Sequence, residues 1–174
     1  MAYAEIRRPR SVMILLAAFG TLLFFVESLL FSLLSFVGFA SALHVFPLQL
    51  RFPYDSYVHV VGLALTVSGY FLFVWSVVVR GKYSVAWEMS ENHKLVTWGP
   101  YRYVRHPSYL GYFLMFVGLV LAWLNLVAIV PLIAVPGYVQ ITGEEEELLT
   151  RRFGEEYTRY QKKTGRFFPK RKMH

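Results

Sequence analysis

The stretch RHPSYLGYFLMFVGLVLAW, residues 105–123, decides how this chain folds. An arginine, a histidine and a proline lead directly into an apolar run that contains no charged residue. Because about 20 apolar residues cross a bilayer core, the run predicts a membrane helix that begins near Pro107. Arg105 and His106 then lie at the polar edge of this helix, either as an ordinary interfacial boundary or as part of a site.

Two longer apolar stretches precede this helix. Residues 57–79 predict one membrane span. Residues 11–43 are apolar apart from Glu27 and a few small residues, which makes them too long for one straight span. We expect one tilted helix whose last part lies near the interface, while a bent helix or a re-entrant hairpin stays open. A carboxyl group at membrane depth is either neutral and neighbour-paired or functional, and the pattern is compatible with both.

A fourth apolar stretch, residues 126–141, follows the third after only Leu124 and Asn125. Such a short connection predicts an antiparallel helical hairpin. Pro131 and Pro136 lie in its second arm, where we expect kinks. The predicted fold class is therefore all-α, a polytopic membrane helical bundle of about four spans.

The composition supports a membrane protein rather than a soluble domain. The chain has 174 residues, of which 56% are hydrophobic and 18% aromatic. Its formal net charge of +7 does not predict nucleic-acid binding, because the basic residues cluster at the ends of apolar runs. The absence of cysteine excludes disulfides, thiolate zinc sites and cysteine nucleophiles.

The distribution of basic residues predicts the orientation in the membrane. Lysines and arginines precede the first span, lie between the second and third, and follow the fourth. The loop between the first and second spans has Arg51 as its only basic residue, and the loop between the third and fourth spans has none. By the positive-inside rule, we expect four spans with both termini on the cytoplasmic side.

The polar tail after the fourth stretch predicts an amphipathic helix. Apolar and aromatic side chains recur there at steps of three and four residues, with charges between them. These side chains are Leu148, Leu149, Phe153, Tyr157 and Tyr160. Taken alone, the pattern favours a cytoplasmic helix that lies on a surface or docks against the bundle.

The loop between the second and third spans, residues 81–107, carries the remaining chemistry. His93 and His106 are separated by a turn, but no HExxH, no CxxC and no third spaced histidine accompanies them, so no metal site is predicted. A Walker loop, a GxGxxG motif and a GxSxG motif are also absent from the sequence, which leaves phosphate-loop, Rossmann and hydrolase chemistry without support.

One set of motifs does resemble a known family. HKLVTWGPYRYVRHPSYLGYF, a membrane hairpin, EEELLTRRFGEEYTRY and TGRFFP occur in the order found in isoprenylcysteine carboxyl methyltransferases. Those proteins belong to a group of integral-membrane methyltransferases that includes phospholipid methyltransferases. The resemblance covers residues 82–169 and implies that residues 1–174 form a single membrane methyltransferase domain. It also implies S-adenosyl-L-methionine as methyl donor, held without a Rossmann domain in a cytoplasmic pocket.

The resemblance assigns a role to particular residues. The donor-binding positions are His93, Lys94, Leu95, Val96, Tyr101, His106, Pro107, Ser108, Tyr109 and Glu145. The candidate catalytic residues are Arg105, His106 and Glu145. Apolar walls suit adenine, whereas a carboxylate and aromatic faces, including that of Trp98, suit the cationic part of the donor. Because successive helix residues point about 100° apart, Glu145 and Glu146 should not both face the pocket.

The acceptor is less well specified. The resemblance favours a lipid-like acceptor, most of all the carboxylate of a prenylated cysteine, and a phospholipid amine is the alternative. Carboxyl methyltransferases of this kind carry an arginine four residues before the glutamate, where this chain has Ile141. Arg102, Arg105 and Arg152 are the candidate substitutes. An NADPH-dependent sterol-type reductase and a non-enzymatic membrane scaffold remain the alternatives of another class, and the EExxL…FG pattern favours the methyltransferase.

Overall fold

The computed structural model describes residues 11–39, 48–51, 53–81, 83 and 94–170. Within these ranges the chain contains helices and two isolated β-bridges, so the all-α prediction is confirmed. The α-helices are α1 (Ser11–Phe36), α2 (Asp55–Arg80), α3 (Pro107–Trp123), α4 (Ala134–Phe153) and α5 (Glu155–Lys163). Two 3₁₀ helices, Gly99–Arg102 and Leu126–Ile133, lie between them.

Three segments are long and apolar enough, by length and composition, to cross a membrane. They are Val12–Phe36, Asp55–Arg80 and Leu126–Phe153. The remaining predicted span, α3, is the third in chain order and has 17 residues. At about 1.5 Å per residue it is about 26 Å long, at the lower end of what a spanning helix needs.

The first apolar stretch forms one helix in its described part. α1 is a continuous helix that ends at Phe36 and leads into a turn in which Gly38 has a φ of 81°. Of the alternatives left open by the sequence, the single helix is therefore observed up to this turn. Residues 40–43 of the predicted stretch lie outside the described residues.

Small residues repeated every seventh position bring α2 and α3 into close contact. Gly62, Gly69 and Ser76 are buried on α2, and Gly111 and Gly118 are buried on α3. Seven residues make two helical turns, so each set forms one stripe. A Cβ on Gly69 would lie 2.7 Å from the Gly111 carbonyl oxygen, and one on Gly111 would lie 2.9 Å from that of Gly69. This fit places the end of α2 beside the beginning of α3.

The hairpin between α3 and the fourth apolar stretch forms as predicted, but its second arm begins as a 3₁₀ helix. Leu124 adopts the left-handed conformation, and the Asn125 side chain accepts a hydrogen bond of 2.9 Å from the Val127 amide. Pro131 lies inside the 3₁₀ helix, where its missing amide disfavours α-helical bonding. Pro136 lies in the first turn of α4, where a proline is tolerated because the amides of that turn have no α-helical partner.

The tail differs most from the sequence prediction. α4 continues from the apolar segment through the glutamate cluster to Phe153, because no residue within it adopts a breaking conformation. The chain turns only at Gly154, where φ is 52°, and the separate tail helix α5 begins at Glu155. The tail predicted as one amphipathic helix is therefore helical, but it is divided at Gly154 between the end of α4 and α5. Tyr157 of α5 is 1% exposed, which shows that this short helix docks against the bundle.

The core lies where α1 packs against α3, α4 and the second 3₁₀ helix. Phe24, Met115, Phe116 and Ala128 are fully buried there. At the far end of the bundle, His59 hydrogen-bonds through Nδ1 to the Ala122 carbonyl oxygen at 2.7 Å. This hydrogen bond connects α2 with α3 at the end of the bundle opposite to the polar loop.

Candidate functional site

A cleft that is open to solvent lies where the polar ends of α2, α3 and α4 meet the loop and α5. The residues that line it come from all of these elements: Arg80, Tyr83, Lys94, Leu95, Val96, Tyr101, Arg105, His106, Ser108, Tyr109, Glu145, Leu149, Tyr157 and Tyr160.

The first wall of the cleft is formed by the turn at residues 97–101, TWGPY. Gly99 has a φ of 60° and Pro100 occupies the first turn of the 3₁₀ helix, which together fold the chain back toward α2. The Tyr101 hydroxyl donates to the Ser76 carbonyl oxygen at 3.4 Å, and the Tyr160 hydroxyl donates to the Tyr101 carbonyl oxygen at 2.5 Å. The turn therefore connects α2 with α5 across the cleft.

The second wall is the junction of the loop with α3. Pro107 is the first residue of α3, which suits its fixed φ, and it keeps His106 out of the helical conformation. The backbone amides of Arg105 and His106 donate to the carbonyl oxygens of Gly165 and Arg166 at 2.9 and 3.1 Å. The C-terminal segment is thus held against the site by backbone pairing.

Two consecutive glutamates of α4 reach this junction and separate there. The Tyr109 hydroxyl donates to Oε1 of Glu145 at 2.7 Å, and Glu145 lines the cleft. Glu146 does not line it, and accepts instead from Nε of Arg105 at 2.8 Å and from Arg166 at 2.7 Å. The geometry agrees with the expectation that only one of the two glutamates faces the cleft.

His106 lies between the two carboxylates. Its Nδ1 is 3.4 Å from Oε2 of Glu145, and its Nε2 is 3.2 Å from Oε1 of Glu146. Burial lowers the pKa of His106, whereas the hydrogen bonds to both carboxylates raise it. The hydrogen bonds outweigh the burial, so the pKa of His106 lies above its ordinary value. The charged imidazolium is therefore favoured, with both ring nitrogens as donors.

Arg105 is committed to holding the tail. In addition to its bond to Glu146, its guanidinium donates to the carbonyl oxygens of Gln161, at 3.4 Å, and Thr164. The side chain is only 10% exposed. A guanidinium already shared among three acceptors suits a positioning role better than contact with a reacting group.

The structure brings most of the predicted donor-binding and catalytic residues together. The residues that line the cleft are Lys94, Leu95, Val96, Tyr101, Arg105, His106, Ser108, Tyr109 and Glu145. Pro107 is buried and does not line it. Trp98 is 47% exposed and is not part of the lining, so its expected role is not supported. His93 lies outside the described residues.

Five lining residues were not assigned from the sequence: Arg80, Tyr83, Leu149, Tyr157 and Tyr160. Leu149, Tyr157 and Tyr160 belong to the apolar side of the tail pattern, so the periodicity already marked them as facing inward. Arg80 ends an apolar helix, where a basic residue is common, and nothing in the sequence distinguishes it from an interfacial anchor.

Comparison with known proteins shows where this arrangement recurs. A model of the phospholipid methyltransferase family matches residues 57–156, more than half of the 174 residues. The chain is 37% identical over 87 residues to the protein-S-isoprenylcysteine O-methyltransferase of Schizosaccharomyces pombe, which covers 49% of this chain and 37% of that protein. It is 34% identical over 119 residues to the protein of that name from Homo sapiens, which covers 66% and 42%.

A solved structure extends the likeness to the fold. The eukaryotic intramembrane Ras methyltransferase, isoprenylcysteine carboxyl methyltransferase, matches with a TM-score of 0.58 and 25% identity, over 94% of this chain and 54% of that one. The chain thus spans less than half the length of the two curated relatives described above. The apolar helices and this likeness identify an integral membrane protein. The chain belongs to the phospholipid methyltransferase family and is similar in sequence and fold to the isoprenylcysteine carboxyl methyltransferases.

Proposed function

We propose that this protein transfers a methyl group from S-adenosyl-L-methionine to a lipid-tailed acceptor, most of all the carboxylate of a prenylated cysteine. The observation that carries the proposal is the cleft itself, which joins the Glu145 carboxylate, apolar walls and basic side chains at the ends of apolar helices. The relatives named protein-S-isoprenylcysteine O-methyltransferase support the choice of acceptor.

The lining fits the chemical groups of the donor. Leu95, Val96 and Leu149 offer apolar surface for an adenine ring. Glu145 offers a carboxylate for the ammonium group, and its orientation is fixed by Tyr109 and His106. Each part of an amphipathic cationic ligand therefore finds a group of the appropriate character in one cleft.

The residues around the cleft orient the reactants rather than move protons. When bound, S-adenosyl-L-methionine supplies an electrophilic methyl group, and a carboxylate acceptor is already ionised at neutral pH. No general base is then needed, and a doubly hydrogen-bonded imidazolium at His106 is unsuited to that role. We assign His106 and Arg105 to positioning Glu145 and the tail, and the rate then derives from alignment and exclusion of water.

The location suits an acceptor with an isoprenoid tail. Such a molecule stays in the bilayer and presents only its polar end at the helix ends where the cleft opens. The basic residues that surround these ends in the sequence favour the cytoplasmic side for the cleft and for both termini.

Calorimetric titration of the detergent-solubilised protein tests the donor. We expect S-adenosyl-L-methionine and S-adenosylhomocysteine to bind, and NADPH not to bind. Transfer of a labelled methyl group to S-farnesyl-N-acetylcysteine then tests the acceptor. Binding of NADPH alone would identify a reductase, and binding of none of the three would leave the scaffold as the explanation.

A phospholipid amine is the second candidate acceptor, since the matching family model is that of the phospholipid methyltransferases. This chain has Ile141 where the carboxyl methyltransferases carry an arginine, so it lacks at that position a side chain that favours a carboxylate acceptor. An ammonium must lose a proton before it accepts a methyl group, so this activity would rise with pH as the amine deprotonates. Parallel assays with phosphatidylethanolamine and with the prenylated cysteine decide between the two acceptors.

A further inference from the structure

Arg80 occupies a particular place in the cleft. It is the last residue of α2, after an apolar helix, and Gly81 with a φ of 50° turns the chain away immediately behind it. Arg80 is half-buried and lines the cleft together with Tyr109 and Glu145. Its side chain therefore forms part of the wall of the cleft, at the end of an apolar helix.

Arg80 shares the lining of the cleft with Tyr101. Tyr101 is held by its hydrogen bond to the carbonyl oxygen of Ser76, one turn before Arg80 on α2. The end of α2 thus contributes Arg80 to a cleft whose aromatic wall is fixed to the same helix.

Arg80 differs from the other cleft arginine in its ion pairs with the described residues. Arg105 and His106 are neutralised by Glu146 and Glu145. Among the residues that the structure describes, no carboxylate lies within ion-pair distance of Arg80. None of these carboxylates therefore takes up the capacity of its half-buried guanidinium for a bidentate anion.

The candidates considered from the sequence do not provide this capacity. Arg102 is exposed and does not line the cleft, and Arg105 is bound to three acceptors. Arg152 is exposed on the part of α4 beyond the cleft. Ile141 packs against the hydrophobic core one turn before Glu145.

We propose that Arg80 binds the carboxylate of the acceptor and thereby supplies, from the end of α2, the contact that position 141 lacks. The inference rests on the proposed function. A lipid-tailed carboxylate reaches the site from the apolar ends of the helices, where Arg80 lies, whereas Lys94, the lysine of the lining, is exposed on the loop. Arg80 thus determines specificity for a carboxylate over an uncharged head group.

The test compares Arg80→Gln, Arg80→Lys and the control Arg102→Gln with wild type. Three quantities are measured: the Kd for S-adenosyl-L-methionine, the KM for S-farnesyl-N-acetylcysteine, and the Ki of its carboxamide. We expect Arg80→Gln to raise the KM about 10- to 100-fold while the Kd and the carboxamide Ki stay unchanged. Arg80→Lys should have a KM between those of Arg80→Gln and wild type, because lysine keeps the positive charge but cannot form the bidentate contact of a guanidinium. Arg102→Gln should resemble wild type.

Three outcomes overturn the inference. An unchanged KM in Arg80→Gln shows that the acceptor carboxylate is held elsewhere. Equal losses for the acid and the carboxamide show a structural role, and a weakened Kd shows that Arg80 holds the carboxylate of the donor instead. Failure of the proposed function is distinguishable from all three, since wild type itself would then not bind the donor or methylate the acid.

Discussion

Glu145 and Glu146 are adjacent on α4, and the same substitution at each of them should have a different effect. Glu145 faces the cleft, and Glu146 joins Arg105, His106 and Arg166 beneath it. We expect Glu146→Gln to destabilise the fold, and Glu145→Gln to weaken donor binding in a stable protein. Both substitutions keep the size of the side chain and remove one negative charge, so they differ only in what that charge contacts.

The magnitude for Glu146 follows from burial. Its side chain is 8% exposed, and that of Arg105 is 10% exposed. Loss of one partner of a buried ion pair costs about 3–5 kcal/mol, since it leaves the other charge uncompensated. The bond to Arg166, which is 39% exposed, adds at most about 1 kcal/mol because solvent screens it. At about 2–4 °C per kcal/mol, the Tm should fall by roughly 6 °C or more.

The magnitude for Glu145 concerns binding instead. A glutamine at 145 can still accept the hydrogen bond from Tyr109 but no longer offers a charge to a cationic ligand. A hydrogen bond to a charged group contributes about 1.5–3 kcal/mol, so the Kd for S-adenosyl-L-methionine should rise about 10- to 100-fold. The Tm without ligand should change little in comparison with the Glu146 variant.

Thermal unfolding in detergent, followed by near-ultraviolet circular dichroism, measures the first effect, and calorimetric titration at a temperature where all variants are folded measures the second. If the Glu146 variant is as stable as wild type, the buried ion-pair assignment is wrong. If it is folded and has lost donor binding while the Glu145 variant binds normally, the two roles must be exchanged.

Three further predictions concern the helix contact, the pH dependence and the acceptor. Gly111→Val should destabilise the protein by about 1–3 kcal/mol or more in thermal unfolding, because α2 and α3 leave no room for a Cβ, whereas Gly143→Ala, with open space around it, should not. The contribution of His106 to stability should be fully present below its ordinary pKa of 6.5 and should be lost as pH rises through its raised pKa, and His106→Gln should remove this part of the pH profile. Ile141→Arg should not increase kcat/KM for the prenylated cysteine acid, because Arg80 already holds the carboxylate and position 141 packs against the hydrophobic core; an increase would show that the cleft lacks a cationic contact for the acceptor.

The sequence predicted the parts of the site that depend on local patterns. The turn at Gly99, the start of α3 at Pro107 and the inward face of the tail follow from proline, glycine and periodicity. The glycines of α2 and α3 were visible as well, but their seven-residue spacing indicates a contact only when two helices are known to be neighbours. Arg80 could not be assigned, because its place in the cleft depends on that contact and not on its own surroundings.

The continuity of α4 also depended on tertiary structure. The acidic cluster and the apolar segment before it differ so much in composition that the sequence suggested two elements. A helix crosses such a boundary freely when its polar residues gain partners, and here Glu145 and Glu146 gain Tyr109, Arg105 and His106. Propensity alone contains no information about these partners.

His106 explains why the loop, α4 and the tail must assemble together. Its two ring nitrogens contact carboxylates that are consecutive in the chain, so one faces the cleft and the other the tail. This is possible only because Pro107 and the backbone bond to Arg166 fix the ring at the start of α3. Replacement by asparagine or glutamine retains one donor and loses the second together with the charge. Either substitution should therefore weaken donor binding and the contact with the tail together. A histidine that acts only on the substrate would not affect the contact with the tail.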